Sequence, residues 1–148
     1  MNDINISFSR PEENPDVSIV SVKGYVDTTT SVELEESLKR LLRKGRFNII
    51  IDLGGVNYIS SAGWGIFISE IKAIRENGGD LKLASMVGDV YEVFELLEFQ
   101  TILESYDSID EAVVSFRDRS GGKPAESDID SDSGANGVGS TSDAKIES

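Results

Sequence analysis

Two adjacent hydroxyls, Ser60 and Ser61, followed by the small residues Ala62 and Gly63, are the first place in this sequence to look for chemistry. They stand after a β-branched run and before Trp64, Phe67, Ile68, Ile71 and Ile74, which fall at helical spacing. A strand giving way to a helix leaves its N-cap at this point, and the spacing assigns that cap to Ser61. A serine so placed has two uses. It can cap, its oxygen accepting a backbone N–H, or it can carry a phosphoryl group. A phosphate would gain from the unpaired N–H groups and the positive end of the helix, and Ala62 and Gly63 leave room for it. Ser60, one residue earlier, suits support of the turn. Trp64, in the first helical turn, suits either the core or an anchor for a partner.

The other polar candidates are weaker. Asp27 follows Gly24-Tyr25-Val26 and precedes a helix, a setting in which aspartate usually stabilises a turn, although a kinase or metal contact is also conceivable. Asp52 ends a buried strand, as the phosphoacceptor of a receiver domain does. The acid pair needed to hold magnesium is missing, because the preceding strands end in Ser9-Arg10 and Lys23-Gly24. Gly63-Trp64-Gly65 lacks the further glycines of a dinucleotide fingerprint and the Gly-Lys-Ser/Thr of a phosphate loop. With no Cys and no His, thiolate catalysis, a Ser–His–Asp triad, disulfides and His-containing metal sites are all excluded. The remaining Ser, Asp and Lys residues form no recognisable nucleophile–base pair, so no enzyme, cofactor or metal is expected.

The elements that position these residues follow from periodicity. Ile4, Ile6 and Phe8 alternate with polar residues, and Val17 to Lys23 alternate again before Gly24 closes the second strand, giving an N-terminal hairpin. Thr30 and Glu33 read as a capping box, with Leu34, Leu38, Leu41 and Leu42 on one helix face and Gly45 as the stop. Ile49, Ile50 and Ile51 predict a strand covered on both faces, ending at a Gly54–Gly55 turn. The second helix stops at Asn77-Gly78-Gly79, and Leu81, Leu83 and Ala84 make a fourth strand. Val90, Val93, Phe94 and Leu97 mark a third helix, residues 101–103 a short strand, and residues 108–116 a last helix with Ile109, Ala112, Val113 and Phe116 inward. The order ββαβαβαβα predicts an α/β fold: a mixed sheet of four to five strands, opened by a hairpin and packed by about four helices. In such folds reactive groups gather beyond the carboxyl ends of strands, which points to Asp27 and to Ser60-Ser61.

Composition bounds the rest. Residues 117–148 hold seven Ser and five Gly, and only Ile129, Val138 and Ile146 as large apolar side chains. They are expected to form a disordered acidic tail after a domain of residues 1–116. The net charge of −13 disfavours nucleic acid and anionic lipid as partners. Solubility accounts for that charge more simply than an acidic binding face does. The polar N-terminus has no secretory pattern, and no apolar run nears the roughly 18 residues of a membrane span, so a cytoplasmic protein is expected. The sequence leaves the oligomeric state open, with a monomer as the default.

Val56-Asn57-Tyr58-Ile59-Ser60-Ser61-Ala62-Gly63 resembles the segment leading into the second helix of STAS domains, the fold of bacterial anti-sigma factor antagonists. Gly24-Tyr25-Val26-Asp27 with Thr30 is similar to the family's Gly-x-Leu-Asp turn, and Gly78 to Leu83 and the helix from Val90 to Phe94 match its later half. The resemblance spans about Ile4 to Phe116. It implies a partner-switching protein whose unphosphorylated form binds an anti-sigma factor that is a serine kinase of the histidine-kinase-like ATPase type, freeing a sigma factor or other effector. It makes Ser61 the phosphoacceptor, Asp27, Ser60, Ala62, Gly63 and Trp64 the partner contacts, and a metal-dependent serine phosphatase the enzyme that resets the switch. Two positions depart from the family pattern: Ser60 stands where Asp is common, and Glu98 where Gly often ends the third helix. A STAS subunit of a lipid-transport complex, or another scaffold not regulated by phosphorylation, is the alternative.

Overall fold

The computed structural model describes residues 4–121, and side chains as far as residue 117. The chain divides into a unit of Met1–Val113 and a unit of Val114–Ser148. The tail anticipated from composition lies, from residue 122 onward, outside the described residues.

Strands β1 (Ile4–Ser9) and β2 (Val17–Val26) pair antiparallel, with Ile4 opposite Gly24 and Ser9 opposite Ile19. Helix α1 (Ser31–Arg43) leads to β3 (Asn48–Ile59), which lies parallel to β2. Helix α2 (Ser61–Glu76), β4 (Asp80–Ala84), α3 (Gly88–Leu96), a single 3-10 turn (Phe99–Thr101), β5 (Glu104–Tyr106) and α4 (Ile109–Gly121) complete the order. The five strands are arranged β1-β2-β3-β4-β5, parallel from β2 onward. This is the mixed α/β sheet with an N-terminal hairpin that the sequence order predicts.

The isoleucine run behaves as its type requires. Ile49, Ile50 and Ile51 are all fully buried. Ile49 and Ile51 join Val20, Val22, Leu81 and Leu83 in one cluster with Leu34 and Leu38 of α1, Phe67 and Ile74 of α2, and Phe94 of α3. Ile50, between them, faces the other side of the sheet by strand alternation. Helix α1 ends as Gly45 predicts: Gly45 is at φ 77°, its amide bonds the Leu42 carbonyl at 3.0 Å, and the Arg46 amide bonds the Leu41 carbonyl at 3.0 Å.

Several local expectations are corrected. Gly24 does not close β2, and Gly54–Gly55 is not a turn: both strands run on, with register shifts that place extra β3 residues against β2 between Ser21 and Tyr25. Gly55 suits this close approach, because a Cβ there would lie 2.6 Å from Lys23 Cγ and 3.3 Å from its Cα. Asp52 secures the bulge, accepting from the Gly54 amide at 3.0 Å and from Ser21 Oγ at 3.2 Å. Residues 99–101 form the 3-10 turn, and the fifth strand comes later, at Glu104–Tyr106. On α3 only Val90 and Phe94 are buried, whereas Val93 and Leu97 are exposed. Helix α4 passes Phe116, where the last helix was expected to stop, and ends at Gly121.

Candidate functional site

The two sequence candidates, Asp27 and Ser60-Ser61, meet at the carboxyl ends of the neighbouring parallel strands β2 and β3. Val26 pairs with Ile59 in register, and the Ser60 amide donates to the Val26 carbonyl at 2.7 Å. One hydrogen bond therefore joins the two loops.

The first loop is organised by Asp27, not by a Thr30–Glu33 capping box. Thr30 has helical backbone angles and makes no side-chain cap bond. Asp27 Oδ1 instead accepts the amides of Thr29 at 2.9 Å and Thr30 at 2.8 Å. The Thr30 hydroxyl turns back, donating to the Tyr25 carbonyl at 2.6 Å and accepting the Asp27 amide at 2.9 Å. A carboxylate accepting amides at the start of α1 is the charge-assisted capping that the helix dipole favours. The turn-stabilising reading of Asp27 is the one its contacts match.

The second loop corrects the cap by one residue. Ser60 is the N-cap of α2: its backbone is extended, and its Oγ accepts the Gly63 amide at 3.2 Å. The Trp64 amide then bonds the Ser60 carbonyl at 3.0 Å. Ser61 is the first helical residue, and it is exposed while Ser60 is buried. The amides of Ser61 and Ala62, which precede any intrahelical acceptor, have no partner among the described residues. Capping and exposure, which the sequence left to one serine, are divided between two.

Gly63 is buried because it packs: a Cβ there would lie 2.7 Å from Val26 Cγ1 and 2.8 Å from Ile59 Cγ2. Its lack of a side chain lets α2 sit directly on the ends of both strands. Trp64 is not a surface anchor. It is 2% exposed, with its ring among Phe67, Phe94 and Phe99 at 6.1, 6.0 and 5.1 Å. Its Nε1–H has no acceptor among the described residues.

The exposed aromatics here are Tyr25 and Tyr58. They are opposed in the β2–β3 register, 47% and 52% exposed, and meet edge to face at 6.4 Å. Their strand phase carries the signal: each precedes a buried residue, Val26 or Ile59, and so alternates outward. The surface at this end of the sheet therefore comprises Ser61, half-buried Asp27 and Ala62, and the two tyrosines. It has no group of three or more Asp or Glu residues able to hold a metal among the described residues. None of the described helices is long and apolar enough to cross a membrane.

Comparison with known proteins converges on one family. The family model described as the STAS domain matches residues 9–112. The chain is 32% identical over 99 residues to a Bordetella bronchiseptica protein provisionally named as the anti-sigma factor antagonist BtrV, covering 67% of this chain and 85% of the relative. It is 29% identical over 101 residues to the anti-sigma-B factor antagonist of Listeria monocytogenes, covering 68% and 89%. The crystal structure of an anti-sigma factor antagonist from Mycobacterium paratuberculosis superposes with a TM-score of 0.70 at 21% identity, covering 78% and 95%.

Proposed function

This chain belongs to the STAS-domain family, and we propose that it is an anti-sigma factor antagonist, a binding protein whose partner affinity is set by phosphorylation of Ser61. The observation that carries this reading is the division of labour at α2. Ser61 is exposed at the first helical position, its neighbouring amides are unpartnered, and Ser60 holds the cap whether or not Ser61 is modified. A phosphoryl group there gains from the helix N-terminus without removing any bond that maintains the fold.

The departure from Asp at Ser60 fits the same reading, because serine and aspartate are about equally good caps. The partner in this reading is an anti-sigma factor that is also a serine kinase of the histidine-kinase-like ATPase type. A metal-dependent serine phosphatase reverses the modification, and the cytoplasm is the setting. The chain acts by binding and catalyses nothing itself. Tyr25 and Tyr58, with Asp27 and Ala62 beside Ser61, form the contact surface in place of the buried Trp64 and Gly63. Exposed tyrosines supply apolar area and a hydrogen-bonding tip at small entropic cost.

The test is intact-mass analysis after incubation with the cognate kinase and ATP. Wild type and Ser60→Ala should each gain one phosphate, and Ser61→Ala none. Stoichiometric modification of Ser61→Ala would overturn the assignment.

A further inference from the structure

We propose a second site on this chain: the groove between the β1–β2 hairpin and the last turn of α1 binds a small phosphate-class anion. It lies at the opposite end of β2 from Ser61, about 25–30 Å away along the strand.

The groove has a volume of about 240 Å³ and is walled by Phe8, Leu41 and four cationic residues, Arg10, Arg40, Lys44 and Arg46. No carboxylate lines it. That is unexpected in a chain with 27 acidic and 14 basic residues. The ion pairs of the described residues involve Lys39, Arg75 and Lys82, so none of the four groove cations has a carboxylate partner there. Like charges gathered without counter-charge repel one another, and a bound anion would relieve that repulsion.

The groove also has fixed donors. Arg46 is held by its Nε–H to Ser18 Oγ at 2.8 Å and by Nη2 to the Pro15 and Val17 carbonyls at 2.9 and 3.2 Å. This leaves Nη1 without a partner among the described residues. Ser18, 3% exposed and on the groove wall, accepts from Arg46 while its own O–H donates to no acceptor among those residues. A guanidinium edge beside a hydroxyl donor suits a tetrahedral, acceptor-only oxyanion. At the negative end of α1, which would oppose an anion, the Leu41 and Leu42 carbonyls accept the amides of Lys44, Gly45 and Arg46, which reduces the negative potential there. The volume admits a phosphate with a small organic part against Phe8 and Leu41.

The test uses inorganic pyrophosphate as probe on the full chain, against sodium chloride at matched ionic strength, followed by amide NMR shifts and melting temperature. Pyrophosphate should shift Ser9, Arg10, Ser18, Arg40, Lys44 and Arg46 saturably and raise the melting temperature. Arg40→Glu, at an exposed position of α1, and Lys44→Glu, at its exposed C-cap, should each weaken binding at least about tenfold with an unchanged far-ultraviolet spectrum. Lys39→Glu makes the same charge change on α1 outside the groove and should bind nearly as wild type does. Equal shifts with chloride, unsaturable shifts, or equal weakening by Lys39→Glu would each overturn the proposal.

Discussion

The Ser60 amide donates to the Val26 carbonyl at 2.7 Å, so the start of α2 is pinned to the end of β2 across the gap between two loops. The bond uses the backbone of Ser60 while its side chain caps the helix at Gly63. Ser61 is thereby held in place without contributing to the hold.

Replacing the two serines should therefore have unequal effects on stability. Ser60→Ala removes the cap and should cost about 1 kcal/mol. Ser61→Ala, at an exposed first position, should stay within about 0.5 kcal/mol of wild type. Urea denaturation of both variants measures the difference, and the reverse ranking would return the cap to Ser61.

Phosphorylated Ser61 should lose its partner but keep its fold. The group adds about −1.5 to −2 charges at a helix N-terminus that favours anions, so melting should change little. At the partner surface the same charge must be desolvated unmatched, which costs several kcal/mol and lowers affinity by at least about a hundredfold. Ser61→Asp should reproduce part of the loss. Calorimetric titration with the kinase, alongside melting curves, separates lost binding from lost structure.

Two glycines of α2 should respond oppositely to alanine. At Gly63 the new Cβ meets Val26 Cγ1 at 2.7 Å and Ile59 Cγ2 at 2.8 Å, and overpacking of this kind costs about 1–3 kcal/mol. At Gly65 nothing lies within 4 Å, so alanine should stabilise the helix by about 0.5–1 kcal/mol. Thermal denaturation of the two variants should bracket wild type.

The three helix ends predict a gain at Glu98. Helices α1 and α2 stop at Gly45 and Gly78, at φ 77° and 85°, but α3 stops at Glu98, at φ 59°. Its amide bonds the Glu95 carbonyl at 3.0 Å, as Gly78 bonds Arg75 at 3.1 Å. A left-handed conformation costs a side-chain-bearing residue about 1–2 kcal/mol, part of which glycine returns as unfolded-state entropy. Glu98→Gly should thus raise stability by about 0.5–1 kcal/mol, read from the denaturation midpoint.

Tyr91 provides a pH-dependent readout. Its phenol is held above the ordinary tyrosine value, first by the hydrogen bond to Glu95 and then by that residue's charge. Both favour the protonated phenol, so its proton should leave at a higher pH than those of ordinary tyrosines. Glu95→Gln removes the charge and should lower the titration midpoint, followed by ultraviolet absorbance against wild type.

The element order was legible because burial writes it into residue type. Alternation marks β1, the Ile49–Ile51 run a doubly covered strand, and Gly45 and Gly78 two helix ends. Glycine misled where it stands inside a strand. Gly24 and Gly55 serve a bulge and a close approach to Lys23, a demand made by the neighbouring strand and invisible in local spacing. The two loops at the strand ends were legible, but the capping roles within them slipped. Whether Ser60 or Ser61 caps, and whether Asp27 or Thr30 does, depends on where the chain turns out of the sheet, and hydroxyl and carboxylate are both good caps. Trp64 was open to two readings because burial of a residue in the first turn of a helix is decided by α3 and the 3-10 turn, which follow much later in the chain.

The enclosure of Trp64 gives the molecule a built-in optical reporter. It is the chain's single tryptophan, so its emission arises from one place. The indole is sealed among aromatic rings, with an N–H that no acceptor engages among the described residues, conditions that favour emission at short wavelength. Three positions separate it from Ser61 on the same helix. A charge added at the head of α2, or an opening of the contact with Phe99, should shift the colour or yield of that emission. The modification proposed at Ser61 could then be followed in real time without a label.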